Sequence, residues 1–305
     1  MPRDRSPWRN VHFVDASNGS TLGGCYQKGS LTEETLIWIL GNVLLVVEGD
    51  LVVRHQETNR TIVPSAQPVL PGTYEISASG TVHITNEPWV ARIISTSISG
   101  RENAFVRGVR RRDQNCVISG EVNELAPWND FTGLQAAHVF PLAKESLWID
   151  NNYRRWITNI DEDSLESGIN SIQNGLLMLE SFHTRFDQYM FSVNPDDDYK
   201  ITTFLPNSWG IDGRVLEPAC RKPSGPDRVS DELLRWHFWQ SVLANMRGSG
   251  EPLFETDFPS GRDQMAVLAT EPYGKERLEM EVSERLKRAA HEVTSIQPVT
   301  VIFKG

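Results

Sequence analysis

The chain has 305 residues, 39% of them apolar and 23% charged, so it is long enough for about two globular domains with hydrophobic cores. Its 30 Lys and Arg residues against 40 Asp and Glu residues give a net charge of −10, which argues against strong binding of nucleic acid to a broad basic surface. No apolar run of about 18 residues predicts a membrane span, and the charged first residues carry no secretory signal. We therefore expect an intracellular protein, nuclear or cytoplasmic, with no membrane association.

The three cysteines, Cys25, Cys116 and Cys220, lie far apart in the sequence. Their odd number argues against a disulfide framework. They are also too few for a four-cysteine zinc site, so we expect no structural zinc.

The first hundred residues contain short apolar runs separated by turn signals. Ser30 and Glu33 form a possible capping box for one short helix that ends near Gly41. Gly49-Asp50 then predicts a hairpin between two strands. The predicted strands are 43–48, 51–56, 73–77, 81–85 and 89–97. This pattern predicts a β-rich N-terminal domain, residues 1–100, of the sandwich or barrel type.

A group of arginines begins the middle third of the chain: Arg107, Arg110, Arg111 and Arg112. Such a group most often forms a solvated face. The alternative is contact with phosphate, for which Arg110, Arg111 and Arg112 are the substrate-binding candidates.

His138 ends a mostly apolar run, 134–138, and Pro141 follows it. This pattern predicts a strand that ends at His138 and leads into a turn. A single histidine beside a strand is usually structural, so this feature alone does not identify a site.

A second histidine lies in a more informative segment. Asn174-Gly175 is typical of a turn, and 176–179 is a buried, strand-like run. Ser181 is a possible N-cap for a helix that places His183 and Asp187 one turn apart on the same face. An imidazole and a carboxylate so placed can hold a divalent ion or can form an ordinary hydrogen bond, and both interpretations stay open.

The last third is more helical. Ser230 can cap a helix over 231–247, a second helix is predicted over 275–293, and 298–303 is a possible strand. We predict a mainly helical C-terminal extension, residues 206–305, that packs on the preceding domain. The fold class is therefore α+β.

Taken together, these segments resemble the HNH nuclease family, in particular a branch common in fungal proteins. The pattern of that branch reads RD-x-x-C-x-x-[ST]-G, A-A-H-x-x-P, N-G-L-x-L and H-x-x-F-D. The matching segments here are 112–120, 136–141, 174–179 and 183–187. The close resemblance covers about a third of the chain, and the preceding β-rich segment is similar to the domain that precedes the nuclease in this branch.

The resemblance implies a ββα-metal unit within residues 101–205. His138 would be the general base, Asn174 would hold the loop that follows His138, and His183 would bind Mg²⁺ or Mn²⁺. Many family members carry an acidic metal ligand just before the base, but this chain has Ala137 there. We expect Asp187 to supply the second ligand.

Two further carboxylates, Asp113 and Asp130, are weaker candidates for that ligand. The implied function is an endonuclease that hydrolyses phosphodiester bonds in nucleic acid, DNA more than RNA. Its N-terminal domain would position substrate or a protein partner, and the oligomeric state stays open. The alternative is a degenerate HNH fold that serves as a protein-interaction scaffold or acts on a small molecule.

Overall fold

We describe the fold from a computed structural model. It covers residues 5–87, 89–90, 92, 100–159 and 167–248. In the helix that begins at residue 100, side chains are described from residue 104 onward. The fold combines helices with several small sheets, as the predicted α+β class requires. Within these residues, no helix has both the length and the apolar composition needed to cross a membrane. The predicted helix at 275–293 and the strand at 298–303 lie outside the described residues.

The N-terminal part is built on one five-stranded mixed sheet. Its order is β2-β1-β6-β4-β5, with β1 and β6 parallel and the other neighbours antiparallel. A second ribbon pairs β3 with β7. The strands are β1 Val11–Asp15, β2 Thr21–Cys25, β3 Leu45–Val47, β4 Val52–His55, β5 Arg60–Thr61, β6 Gly72–Ser77 and β7 Val82–Ile84.

This arrangement differs from the prediction in three places. The predicted hairpin across Gly49-Asp50 is wrong, because the strands on either side of it do not pair with each other. β3 pairs with β7, while β4 pairs with β5 and β6. The sheet is open and mixed, in place of a sandwich or barrel. The predicted helix exists as α1, Glu33–Ile39, but its N-cap is Thr32, whose side chain accepts from the Thr35 amide, and not Ser30.

The next unit is a β-ribbon between two helices. β8, Leu134–His138, pairs antiparallel with β9, Gly175–Leu179. Helix α2, Gly100–Asp113, packs on this ribbon, and α4, Glu180–Asp187, follows β9 directly. A short helix, α3, Glu145–Asp150, lies in the connection between the strands. The predicted strand that ends at His138 is confirmed.

The C-terminal part of the described chain joins two hydrophobic cores. Strands β10, Phe191–Asn194, and β11, Lys200–Thr203, form a hairpin. Helix α5, Asp231–Met246, contributes its first turns to the core around α2, β8 and β9, and its later turns to the core beneath the N-terminal sheet. The predicted bounds of α5 are confirmed to within one residue. This helix therefore packs on both parts of the molecule and not only on the central unit.

The three cysteines are free and buried, and Cys116 lies in the central core. Burial raises the pKa of the Cys25 thiol to about 12 and also raises that of Cys220, which favours the uncharged thiols.

Candidate active site

His138 is held at the end of β8 between an aromatic ring and an amide. Its ring stacks on Phe105 of α2, with centroids 3.9 Å apart and planes 9° apart. Its Nε2 lies 3.0 Å from Oδ1 of Asn170. An amide oxygen can only accept, so Nε2 carries the proton and donates it. The lone pair of the neutral imidazole is therefore on Nδ1.

The protonation state of this histidine follows from its burial. His138 is only 7% exposed, and loss of hydration is the main cause that lowers its pKa to about 4. The hydrogen bond with Asn170 opposes this effect, and the positive charge of Arg92 adds a smaller lowering of the pKa. At neutral pH the ring is uncharged. His138 is therefore in the form that can accept a proton.

Asn174 fixes the backbone that leaves His138. Its Oδ1 accepts from the Phe140 amide at 2.7 Å, and its Nδ2 donates to the carbonyls of Phe140 and Ile169 at 3.1 and 2.8 Å. The residue is fully buried, so these bonds replace those to water. The next residue must be glycine, because a Cβ at Gly175 would lie 2.6 Å from the Phe105 ring.

His183 and Asp187 meet on one face of α4, as the spacing predicted for a helix. The His183 Nδ1 donates to Gln135 Oε1 at 2.7 Å, so its Nε2 lone pair faces Asp187 Oδ2 at 3.3 Å. Burial is the main cause that lowers the pKa of His183, which keeps the ring neutral near pH 7. The Nε2 lone pair of His183 and the Asp187 carboxylate oxygen therefore face each other, and a cation between them would bind to both.

The other oxygen of Asp187 is already paired. Its Oδ1 lies 2.7 Å from Nη2 of Arg92, and both side chains are buried. Asp187 therefore joins His183 on one side to a guanidinium on the other.

The protein offers only two metal-binding atoms at this place in the described part of the chain. His183 Nε2 and Asp187 Oδ2 are the two donors, and no group of three or more His, Cys, Asp or Glu residues suited to a metal occurs in the described part of the chain. A hard ion such as Mg²⁺ keeps several waters and takes further oxygens from substrate phosphate, so two protein donors can suffice for a weak site.

The base and the donor pair lie on two sides of one strand. Neighbouring side chains of a strand point to opposite faces, so Gln135, which contacts His183, and His138, which contacts Phe105, face different helices. Ala137 lies on the Gln135 face and is fully buried in the core. The two halves meet through Arg92, which contacts the carbonyl of His138 as well as Asp187.

The three predicted substrate-binding arginines have different surroundings. Arg111 is 75% exposed and lies 3.7 Å from Asp227, so it remains a candidate for phosphate contact. Arg110 is half-buried over the Phe131 ring. The prediction needs correction for Arg112, because its guanidinium is buried in an ion pair with Asp113 and cannot reach a ligand.

The two weaker candidates for a metal ligand, Asp113 and Asp130, already accept hydrogen bonds from residues close by. Asp113 is buried, pairs with Arg112 and accepts from the Leu177 amide. Asp130 accepts from the amide and hydroxyl of Thr132, and these bonds lower its pKa. Neither carboxylate belongs to the His183 and Asp187 pair.

Sequence reasoning missed four residues that shape the site: Phe105, Arg92, Gln135 and Asn170. Arg92 is the lone cation in an apolar stretch, and Gln135 is the lone polar residue at the start of an apolar strand. Both patterns indicate a polar group that needs a buried partner. The stacking of Phe105 and the bond to Asn170 depend on long-range packing and leave no such signal.

Comparison with known families covers two segments. Residues 116–194 match the HNH endonuclease family model. This segment is an HNH endonuclease domain. It contains His138, Asn174, His183 and Asp187, so the recognition of the HNH nuclease family from sequence is confirmed for this segment. Residues 8–83 match the model named Domain of unknown function (DUF8573). No curated protein and no solved structure matches the chain.

The low pKa of His138 predicts a loss of stability in acid. The unfolded chain takes up a proton on this residue near pH 6.5, whereas the folded chain does so only near pH 4, so stability falls as the pH drops from about 7 toward 4. We expect this histidine alone to contribute a loss of about 2 kcal/mol between pH 7 and pH 5, measured by urea unfolding.

The matched variant is His138→Phe, which keeps an aromatic ring against Phe105 but cannot titrate. It should reduce the pH dependence without removing it, because burial also lowers the pKa of His183 and His237. Identical pH dependence in the variant and the parent chain would contradict the assignment.

Proposed function

We propose that the chain is an HNH-type endonuclease that hydrolyses phosphodiester bonds in nucleic acid, DNA in preference to RNA, with His138 as the general base. The observation that carries the proposal is the neutral imidazole of His138, fixed at the end of β8 inside a segment that matches the family model. The lone pair on Nδ1 would take a proton from the attacking water as the water oxygen bonds to phosphorus. The P–O bond opposite the attacking water then breaks, and the leaving oxygen takes up a proton from solvent.

Three neighbouring residues hold His138 and the loop that follows it in position. Asn170 fixes the tautomer of His138, Phe105 fixes the plane of its ring, and Asn174 holds the loop that follows it. Such fixed geometry matters because a base must lie within hydrogen-bond distance of the proton that it removes. Arg111 is an exposed cation of α2 that would contact a phosphate near this unit.

For the metal, we propose Mg²⁺ or Mn²⁺ held by His183 and Asp187. The ion would supply positive charge that stabilises the phosphate in the transition state. The support is the bare Nε2 of His183 opposite the Asp187 carboxylate. We propose no separate structural zinc site, because the three cysteines are dispersed and free.

The second candidate is an HNH fold used as a scaffold for a protein partner or for a reaction on a small molecule. Two observations favour it: the net charge of −10 and the absence of a third metal donor in the described residues. The N-terminal domain would then hold the partner, whereas in the nuclease it would position the substrate.

A cleavage assay separates the two functions. We expect the full chain to nick or cut plasmid DNA and to cleave single-stranded DNA with Mg²⁺ or Mn²⁺, and EDTA to stop the reaction. The readout is the conversion of supercoiled to nicked and linear DNA, with a parallel RNA substrate to test the preference. Intact plasmid, single-stranded DNA and RNA with Mg²⁺, Mn²⁺, Ni²⁺ and Zn²⁺ would favour the scaffold.

A further inference from the structure

Arg92 brings a positive charge into the centre of the candidate site. Its side chain is only 2% exposed, and it reaches in from the segment that follows the N-terminal sheet. Nη1 donates to the carbonyl of Val139 at 2.5 Å, and Nη2 donates to the carbonyl of His138 at 2.5 Å and to Oδ1 of Asp187 at 2.7 Å. One guanidinium therefore contacts both halves of the site.

The surroundings of this guanidinium suit a permanent cation. Phe186 and Tyr189 lie with their ring centroids 5.2 and 5.8 Å from its central carbon, within the range of cation–π attraction. Two carbonyls and one carboxylate accept its hydrogen bonds, although its buried Nε has no partner. Arginine stays charged in proteins, so burial here requires the negative charge of Asp187.

The segment that carries Arg92 is itself anchored. The Val90 amide donates to Oε1 of Gln240 at 2.6 Å, and the Tyr189 hydroxyl donates to the Val90 carbonyl at 2.7 Å. Trp89 is buried and packs edge-on against Tyr189. Helix α5 and the turn after α4 thus hold the backbone that delivers the guanidinium.

We infer that Arg92 is the resident cation of this site and competes with a divalent ion for the carboxylate of Asp187. The inference rests on the proposed metal roles of His183 and Asp187. An ion on Oδ2 shares one carboxylate with the guanidinium on Oδ1, and the two positive charges repel each other in a poorly hydrated setting. The free protein therefore binds Mg²⁺ or Mn²⁺ weakly, and tight binding needs the added negative charge of a nucleic-acid phosphate.

The test is calorimetric titration of the full chain with Mn²⁺ and no nucleic acid. Arg92→Met removes the charge and keeps an unbranched apolar side chain, Arg92→Lys keeps the charge, and the double variant Arg92→Met with Asp187→Asn removes both partners. We expect Arg92→Met to bind Mn²⁺ at least about tenfold more tightly than the parent chain. Arg92→Lys should bind as weakly as the parent, and the double variant should lose the gain.

Two results would overturn the inference: no gain in Arg92→Met, or a gain that persists after Asp187→Asn. The Arg92→Met chain could be unfolded without metal, because the substitution leaves a buried carboxylate unpaired. In that case, recovery of the folded far-UV and near-UV spectra in Mn²⁺ supports the competition, and failure to fold with Mn²⁺ counts against it. Strand cleavage is not the readout, so an inactive protein that shows this affinity pattern refutes the nuclease proposal and not the role of Arg92.

Discussion

Replacement of His138 by alanine should lower the rate of phosphodiester cleavage by about 10²- to 10⁴-fold, the usual contribution of a positioned general base. The imidazole is neutral at pH 7, and its Nδ1 lone pair is the one not engaged by Asn170. A base removes a proton from water and need not hold the ion, so Mn²⁺ affinity should stay within about twofold of the parent chain. The measurements are initial rates on supercoiled plasmid and calorimetric titration with Mn²⁺.

The alanine variant also leaves a gap beside Phe105, so two further variants separate chemistry from packing. His138→Phe keeps a ring in the stack, and His138→Gln keeps a donor within reach of Asn170. Both should fold and both should be inactive. His83→Ala is the matched control, because His83 is exposed on β7 and should retain full activity. Cleavage at the parent rate by the phenylalanine variant would remove His138 from the mechanism, and a parallel loss of metal affinity would make it a ligand.

Local sequence signals predicted the separate strands and the helix of the central unit, because each of them is a short run with its own period. The apolar run before His138 and the run after Asn174 are each short, and they pair with each other in register, His138 opposite Gly175. The spacing of four between His183 and Asp187 likewise fixes a shared helix face without further information. The runs and the shared helix face follow from the periods of a strand and a helix, whereas the pairing of β8 with β9 is long-range and was implied only by the family resemblance.

The N-terminal sheet was harder to predict because its pairing is long-range. Gly49-Asp50 joins two strands and has a hairpin composition, yet β3 and β4 find partners in β7 and β6. Both of those strands lie more than a dozen residues further along the chain, and burial in the core beneath the N-terminal sheet decides the choice. A turn signal reports local backbone preference and carries no information on which strand lies alongside.

The role of Arg112 was also decided by packing. Its position in a group of arginines predicted a solvated face or a phosphate contact, and three of the four do remain on the surface or half-buried. The fourth turns inward because the carboxylate beside it, Asp113, lies at the end of α2 against β9. Adjacent residues of a helix point about 100° apart, so one arginine of such a group meets the core while its neighbour meets solvent.

Replacement of Arg112 by alanine should destabilise the fold by about 3 to 5 kcal/mol, because it leaves the Asp113 charge buried without its partner. The guanidinium donates to both oxygens of Asp113, at 2.6 and 2.8 Å, and to the carbonyls of Ile172, Asp227 and Gly175, at 2.8, 2.9 and 2.6 Å. One side chain thus joins α2 to the strand that follows Asn174 and to the loop before α5. The measurement is the free energy of unfolding in urea.

Arg111→Ala is the matched control for this prediction. Arg111 is adjacent, equally charged and 75% exposed, and its nearest carboxylate oxygen, on Asp227, is 3.7 Å away. An exposed pair of this kind contributes at most about 1 kcal/mol, so the control should unfold almost as the parent chain does. Arg112→Lys should lie between the two, because an ammonium keeps the charge but cannot bind both oxygens of Asp113 and the carbonyls at once. Equal stability of the Arg112→Ala and Arg111→Ala chains would show that Arg112 is solvated like its neighbour and would return it to the phosphate-binding candidates.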